Sequence, residues 1–363
     1  MTPPRGDPRR SSLTVLRDEI GLPPPVGRPT FLTGGLRVYR ARITAVAHYV
    51  PEKVVTNIDL EKTLDTSDEW IRTRTGICER RIASEGESLS DFAVAASRRA
   101  LESAGVSPAD VDLIILATVT PDHPIPATAC IVQHRLGCTK AAAFDMQAGC
   151  SGFIYAQSVA KQFILSSRCR HVLVIGAELL SRFLDWSDRT TCILFADGAG
   201  AALMGVGEAP RGVLASVMHT DGSMADFITL EAGGSVLPPT EDTVRRRLHY
   251  IRMRGNETFR MAVRALEEVS RQALTHAELD TAQVDWFIPH QANTRILTAV
   301  AERLGIPAER CHVNVDRFGN TSAASIPIAL DEAVREGKVR RGDVVLMTAF
   351  GAGLTWAASV VRW

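Results

Sequence analysis

The chain has no excess of charge of either sign: Lys plus Arg and Asp plus Glu both number 41, and the formal net charge is zero. That balance excludes bulk attraction to nucleic acid or to an anionic membrane, so a charged partner must be met by a local patch. No apolar run approaches the length of a membrane-spanning helix, and the N-terminus lacks the uninterrupted apolar core of a signal peptide. The seven cysteines show neither a CxxC nor a Cys/His spacing suited to a metal, and their number is odd. Such usage fits a reduced compartment without structural zinc, and the expectation is a cytoplasmic protein.

What is present is 363 residues, 45% of them hydrophobic, enough for a large core divided into two halves. Residues 1–38 stand apart. Their Pro and Arg content, including Pro23-Pro24-Pro25, resists regular structure, although residues 13–20 allow a helical turn or two. The Arg and Ser content brings a transit peptide to mind, but Asp7, Asp18 and Glu19 count against one. The expectation is a disordered extension, or a start codon placed too far upstream. From Tyr39 the pattern becomes strand–helix–strand–helix: residues 42–47 alternate as a strand, residues 111–118 and 172–176 are buried apolar strands, and residues 127–136 form a helix ended by Gly137.

An internal repeat follows. Ser107-Pro108-Ala109-Asp110-Val111-Asp112-Leu113-Ile114-Ile115 resembles Asp280-Thr281-Ala282-Gln283-Val284-Asp285-Trp286-Phe287-Ile288, each after a long Ala/Arg-rich helix (residues 92–104 and 259–274). Arg135-Leu136-Gly137 is echoed by Arg303-Leu304-Gly305, and the closing strands 199–204 and 355–361 also pair. The chain therefore divides into 39–210 and 211–363, two copies of one α/β unit.

The chemistry centres on Gly149-Cys150-Ser151-Gly152, where an apolar strand meets a helix of apolar spacing at Phe153, Ala156, Val159, Ala160 and Phe163. A thiol on such a turn faces unpaired N–H groups and the positive end of the helix dipole, which favours thiolate. A small buried core cysteine is the competing reading, and this stretch alone leaves both open. His290 follows an apolar strand in Ile288-Pro289-His290-Gln291-Ala292-Asn293, and Asn320 lies in Phe318-Gly319-Asn320-Thr321-Ser322. Singly, these read as a satisfied histidine and a turn or cap residue. Together with Cys150 they fit one reaction: the cysteine takes an acyl group from a thioester, and two neutral donors stabilise the enolate left when a β-carboxylate departs as carbon dioxide. The oxyanion of the acyl-enzyme would be met by backbone N–H groups, with Cys150 itself and the Gly351-Ala352-Gly353 loop as candidates.

Taken in order, these motifs resemble the β-ketoacyl-acyl-carrier-protein synthase III family of the thiolase superfamily, from about residue 40 to Trp363. The stretch from Thr66 to Ile77, Ala196-Asp197-Gly198-Ala199-Gly200-Ala201 and Gly319-Asn320-Thr321-Ser322-Ala323-Ala324-Ser325 carry the same resemblance. It implies a five-layered α/β/α/β/α thiolase-like fold built from two duplicated halves, acting as a homodimer without metal or redox cofactor. The implied reaction condenses an acyl-CoA primer, foremost acetyl-CoA, with malonyl-acyl-carrier protein, using Cys150 as nucleophile and His290 and Asn320 in decarboxylation. The resemblance further implies that Trp70, Arg74 and Arg189 clamp the adenine of coenzyme A. Asn256, Phe259, Ala292 and Asn293 would line the pantetheine channel, with Phe350 beside the reacting carbon. Ile125 would reach the partner's acyl pocket, where its bulk suggests a short primer. Ala352 stands where a glycine is frequent, which is harmless if only its N–H is used. The segment 232–250 is longer than in compact members. Arg254, Arg260, Arg264, Arg295 and Arg303, interrupted by Glu302, would greet an acidic carrier protein; as a solvated helix face they would need no explanation.

Three alternatives remain. A condensing enzyme or acyltransferase of secondary metabolism would keep the fold and change the donor. A cysteine hydrolase would share the order Cys, His, Asn, but the cysteine's sequence context and the duplicated pattern do not suit it. A non-catalytic binding protein would be expected to lose one of the three residues, and all are present.

Overall fold

A computed structural model describes residues 39–363 in full, together with the backbone of Thr30–Leu32 and Gly35–Arg37. Those two short segments pair as an antiparallel hairpin, where the sequence predicted irregular chain. The remainder of the extension, including the helical turn predicted at 13–20, lies outside the described residues.

Each half builds one sheet from a similar succession of elements. The first half runs β1 (Tyr39–Tyr49), α1 (Asp68–Thr75), α2 (Leu89–Ala104), β2 (Leu113–Ala117), α3 (Thr128–Leu136), β3 (Ala142–Met146), α4 (Gly152–Leu165), β4 (His171–Leu179) and β5 (Asp197–Glu208). The second runs β6 (Gly212–Thr220), α5 (Gly255–His276), β7 (Trp286–Pro289), α6 (Thr294–Leu304), α7 (Ser325–Arg335), β8 (Val344–Gly351) and β9 (Thr355–Arg362). The strand order is β1-β5-β4-β2-β3 in one sheet and β6-β9-β8-β7 in the other. Where a fifth strand would continue the second sheet there is a single bridge, Phe287 to Cys311. The repeat seen in the sequence is also a repeat of contacts. Asp112 N–H donates to the His171 carbonyl and Asp285 N–H to the Val344 carbonyl, both at 2.9 Å.

Three apolar clusters set the layers. One lies between the sheets and is filled by α4 and α7, through residues such as Phe153, Ile154, Ile326 and Leu330. A second packs α2 and α3 on the outer face of the first sheet, and a third packs α5 and α6 on the outer face of the second. The order is helix, sheet, helix pair, sheet, helix. Small residues let the central helices sit close. A Cβ on Gly152 would stand 3.0 Å from that of Ala117 and 3.4 Å from that of Ala323. The buried parallel strands are continuous apolar runs, as both-face burial requires: all five residues of β2 are buried.

Boundaries moved where tertiary contacts extend an element. The strand predicted at 172–176 runs on to Leu179, which carries Glu178 to its C-terminal end. The helix predicted from 259 begins at Gly255, placing Asn256 and Phe259 on its first two turns. Within 232–250 a short helix, Glu241–Arg245, is capped by Thr240, and the segment is pinned by Arg247 Nε donating to Asp185 Oδ2 at 2.9 Å.

Candidate active site

A cavity of about 1680 Å³ is lined by residues of both halves. Its wall includes Trp70, Arg74 and Arg189 together with Cys150, His290 and Asn320. Asn256, Phe259, Ala292, Asn293, Phe350 and Ala352 line it as well, as do Arg260 and Arg295. Ile125, Arg254 and Arg303 do not contribute to its wall.

Cys150 sits in a single turn, Gly149–Ser151, that leads directly into α4. Gly149 takes φ +51, a left-handed conformation natural to glycine, and a Cβ there would come within 2.7 Å of Ala352 N. On the other side a Cβ on Gly351 would collide with Cys150 N. The Cys150 turn and the Gly351 loop are therefore interlocked. Thr355 Oγ1 ties them by donating to the Ala148 carbonyl at 2.8 Å, and Ser151 Oγ returns a bond to the Thr355 carbonyl at 3.2 Å. The thiolate expected from the helix position is opposed here. Burial pushes the Cys150 thiol up to about 12, the Ser322 hydroxyl beside it pulls downward, and the Glu178 carboxylate adds to the rise. The resting sulfur carries its proton.

His290 directly follows β7, and its N–H donates to the Thr348 carbonyl at 2.8 Å, extending the parallel pairing with β8. It is buried, and burial pushes its imidazole down to about 3, so the ring is neutral at pH 7. Ser325 Oγ lies 2.6 Å from Nδ1 and accepts the Gln291 N–H at 3.3 Å. When the Ser325 hydroxyl donates to Nδ1, the proton of the neutral ring is on Nε2. Asn320 is fixed by two backbone bonds: its N–H donates to Leu194 O and its carbonyl accepts from Ala196 N, both at 2.9 Å. Its Oδ1 accepts the Ser322 N–H at 2.9 Å, which leaves the amide NH2 as the free end. The neighbouring Gln291 is a staple, donating to the Pro289 and His312 carbonyls and accepting from Asn314 N–H.

Glu178 escaped the sequence reading. Its carboxylate is fully buried next to the Cys150 turn. Oε2 accepts from Thr120 Oγ1 at 2.7 Å, Val119 N at 3.1 Å and Thr118 Oγ1 at 3.2 Å, while Oε1 accepts from Ser322 Oγ at 3.0 Å. The available signal was a lone acid closing the apolar run 172–177.

Elsewhere in the wall, Trp70 carries Arg74 at 4.8 Å and Arg189 at 5.2 Å from its ring centre. Arg189 also pairs with Asp65 at 3.2 Å. The i, i+4 spacing in α1 brings Trp70 and Arg74 to one face, and Ser67 caps the helix. Asn293 is less available than its place in the cavity suggests. Its Oδ1 caps α6 through Arg295 N and its Nδ2 donates to the Arg74 carbonyl. The basic set also divides. Arg254 is paired with Asp226 at 2.6 Å and Arg303 with Glu267 at 3.1 Å. Arg260, Arg264 and Arg295 form no ion pair among the described residues, and Arg295 lies over the Phe259 ring.

Comparison with known proteins places this arrangement. Residues 144–222 match the family model of 3-oxoacyl-[acyl-carrier-protein] synthase III, and residues 274–363 match that of its C-terminal region. The β-ketoacyl-[acyl-carrier-protein] synthase III of Caldanaerobacter subterraneus is 52% identical over 323 residues, 89% of this chain and 98% of that one. The crystal structure of the 3-oxoacyl-[acyl-carrier-protein] synthase III of Aquifex aeolicus superposes with a TM-score of 0.83 at 50% identity, covering 89% of this chain and all of the other. The priming β-ketosynthase of the R1128 polyketide pathway superposes at 0.84 with 36% identity, over 94% of this chain and 98% of that one. The fold is thiolase-like, made of two duplicated halves, and the chain belongs to the β-ketoacyl-acyl-carrier-protein synthase III family of condensing acyltransferases, which join an acyl-CoA primer to malonyl-acyl-carrier protein at the start of fatty acid synthesis.

Proposed function

We propose that Cys150 receives the acyl group from the primer thioester, and that His290 and Asn320 stabilise the enolate formed as malonyl-acyl-carrier protein loses carbon dioxide. The observation that carries this division is that the two residues offer neutral donors in the wall of the cavity that Cys150 also lines. One is the Nε2–H of an imidazole that burial keeps uncharged, and the other is an amide whose oxygen is already engaged. Preorganised donors of this kind need no reorganisation when charge develops, and each is worth about 3 kcal/mol. The acyl oxyanion is taken by the N–H groups of Cys150 and Ala352, held together by the interlocked glycines. Only the backbone of Ala352 is used, so its methyl group is tolerated.

Coenzyme A serves as substrate and leaving group, and no metal or redox cofactor enters these steps. Its adenine stacks at Trp70 between Arg74 and Arg189, whose charge suits the phosphates. The pantetheine follows the wall of Asn256, Phe259, Ala292 and Asn293 to Phe350. The free cations Arg260, Arg264 and Arg295 are the better part of the carrier-protein surface, since Arg254 and Arg303 already hold internal partners. Ile125 is 87% exposed in the single chain, beside His123 and Pro124 of the cavity wall. An apolar side chain in that position is best covered by a second copy, which supports a homodimer with Ile125 reaching the partner's acyl pocket. The shared strand order supports dividing the chain at residue 210. A cytoplasmic setting fits seven free cysteines, and no helix among the described residues is long and apolar enough to cross a membrane. The likeness to a polyketide priming enzyme supports a second reading, in which the same site takes another donor.

The test separates the two half-reactions. Cys150→Ser should nearly abolish acyl transfer. His290→Ala and Asn320→Ala should still be acylated while malonyl decarboxylation falls by roughly 10²- to 10³-fold each. Equal loss of acylation in all three variants would overturn the division.

A further inference from the structure

Among the described residues Arg80 is the largest fully buried side chain, and none of the ion pairs there includes it. A buried cation without a counter-charge is costly and calls for strong neutral acceptors. Arg80 has three. From the short strand Glu79–Arg81 its Nη2 donates to the Ile193 carbonyl at 2.8 Å. Its Nη1 donates to Asn57 Oδ1 at 2.9 Å and to the Val55 carbonyl at 3.2 Å. Burial lowers its pKa to about 10, so the guanidinium stays charged at pH 7.

The Ile193 carbonyl is one residue from the backbone on which Asn320 hangs. Asn320 N–H donates to the next carbonyl, Leu194 O, and Ala196 N–H donates to the Asn320 carbonyl, both at 2.9 Å. These two bonds make the parallel bridge between Phe195 and Asn320. The stem of Arg80 meets the other side of that bridge. A Cβ on Gly319 would lie 3.2 Å from the Arg80 Cβ and 3.1 Å from that of Ala196. Gly319 takes φ +64, and without a side chain it lets the turn close on the stem. Arg80 thus bonds to one side of the bridge and packs against the other. Its remaining bonds lead to the helix that carries Trp70 and Arg74. Asn57 is buried, and its Nδ2 donates to Asp68 Oδ1 at 2.8 Å and to the Ile77 carbonyl at 2.7 Å. Asp68 opens α1, and Ile77 follows its C-terminal Gly76.

We propose that Arg80 is a positioning residue for decarboxylation, clamping the Phe195–Asn320 bridge to the first turn of α1 so that the Asn320 amide is fixed where the enolate oxygen forms. The planar fork of a guanidinium spans Asn57 and Ile193 at once, whereas a lysine ammonium carries the charge on one nitrogen at the end of a flexible stem. The Cys150 turn is held separately, by Thr355 and the Gly351 loop, so the two half-reactions depend on Arg80 differently.

The proposal rests on Asn320 acting in decarboxylation, and a double-mutant cycle keeps the two claims apart. Acylation at saturating acyl-CoA is timed by intact-protein mass, and carbon dioxide release from malonyl-acyl-carrier protein is followed. The proteins are the wild type, Arg80→Met, Arg80→Lys, Asn320→Ala and the double variant Arg80→Met with Asn320→Ala. Arg80→Met keeps the stem and removes the fork. Its kcat for decarboxylation should fall by about tenfold or more, while KM and the acylation rate stay within about threefold. Arg80→Lys should not restore it. The double variant should be no slower than Asn320→Ala, because Arg80 acts through that amide. Wild-type decarboxylation in Arg80→Met overturns the clamp, and so do equal loss of both half-reactions, an additive loss in the double variant, or full activity in Arg80→Lys. Unimpaired decarboxylation in Asn320→Ala instead overturns the role of Asn320 itself. Should the Arg80 variants not fold, Asn57→Ala decides, since it removes one anchor of the fork and leaves the bond to Ile193. A fall in decarboxylation of about threefold or more with acylation unchanged supports the clamp, and any other pattern overturns it.

Discussion

At Gly149 the turn into α4 takes φ +51, and at Ser322 the turn into α7 takes φ +48. Both open a single turn that leads straight into a central helix, so they hold equivalent places in the two halves. The register of the two sheets sets Glu178, near the end of β4, against Gly351, at the end of β8. Around Cys150 the side chains have been removed: Gly149 and Gly351 let two backbones close on the sulfur and bring their N–H groups together. Around Ser322 they have been kept, and a hydroxyl and a carboxylate meet across the pseudo-dyad at 3.0 Å. Duplication supplied two copies of one turn. Divergence made one a bare cradle for the acyl oxyanion and the other a polar network behind the nucleophile.

Breaking the bare side should have the largest effect. Gly351→Ala puts a methyl group into Cys150 N and must displace the nucleophile. Acylation should fall by about a hundredfold or more, since misplacement by about 1 Å costs that much, and timed mass measurement reads it. Wild-type acylation in this variant would mean that the two loops do not jointly form the oxyanion site. Making the polar side resemble the bare one gives a sharper contrast. Ser322→Gly removes the left-handed strain and the hydroxyl together. Its unfolding free energy in urea should change by less than about 1 kcal/mol, because relief of strain offsets the added chain entropy.

The smallest effect is in the pH dependence of stability. His290 binds a proton more weakly when folded (about 3) than when unfolded, so its contribution is full above about 6.5 and is lost as pH falls. Glu178 binds one more tightly when folded (about 7), so its contribution is full below about 4.5 and is lost as pH rises toward 7. Between about 4.5 and 6.5 the two slopes oppose each other at about 1.4 kcal/mol per pH unit each. Glu178→Gln removes one of them. Its unfolding midpoint should rise with pH through that window more steeply than the wild type's, and parallel curves would show that Glu178 does not titrate there.

What was legible in the sequence followed the chain. The Cys150 turn, the paired strands around Asp112 and Asp285, and the loops bearing His290 and Asn320 are local patterns, and their order gave the two-sheet architecture. The cavity residues from Trp70 to Phe350 were found through motif resemblance. Relations formed across space were not visible. Glu178 meets Ser322 only when the halves dock, so the acid read as the end of an apolar strand. The expected thiolate considered the helix end but not the burial around the sulfur, which dominates. Arg254 and Arg303 looked free because Asp226 and Glu267 reach them from elsewhere in the fold. Asn293 looked like a substrate contact and caps a helix as well.

The most direct measurement is the mass of the intact protein after mixing with a panel of acyl-CoA thioesters, with Cys150→Ala in parallel. A gain of one acyl mass in the wild type, absent from the variant, is the predicted result, and the donor that reacts fastest identifies the primer. No adduct with any donor, or an adduct that persists in Cys150→Ala, would contradict the assignment of Cys150 as the residue that carries the acyl chain.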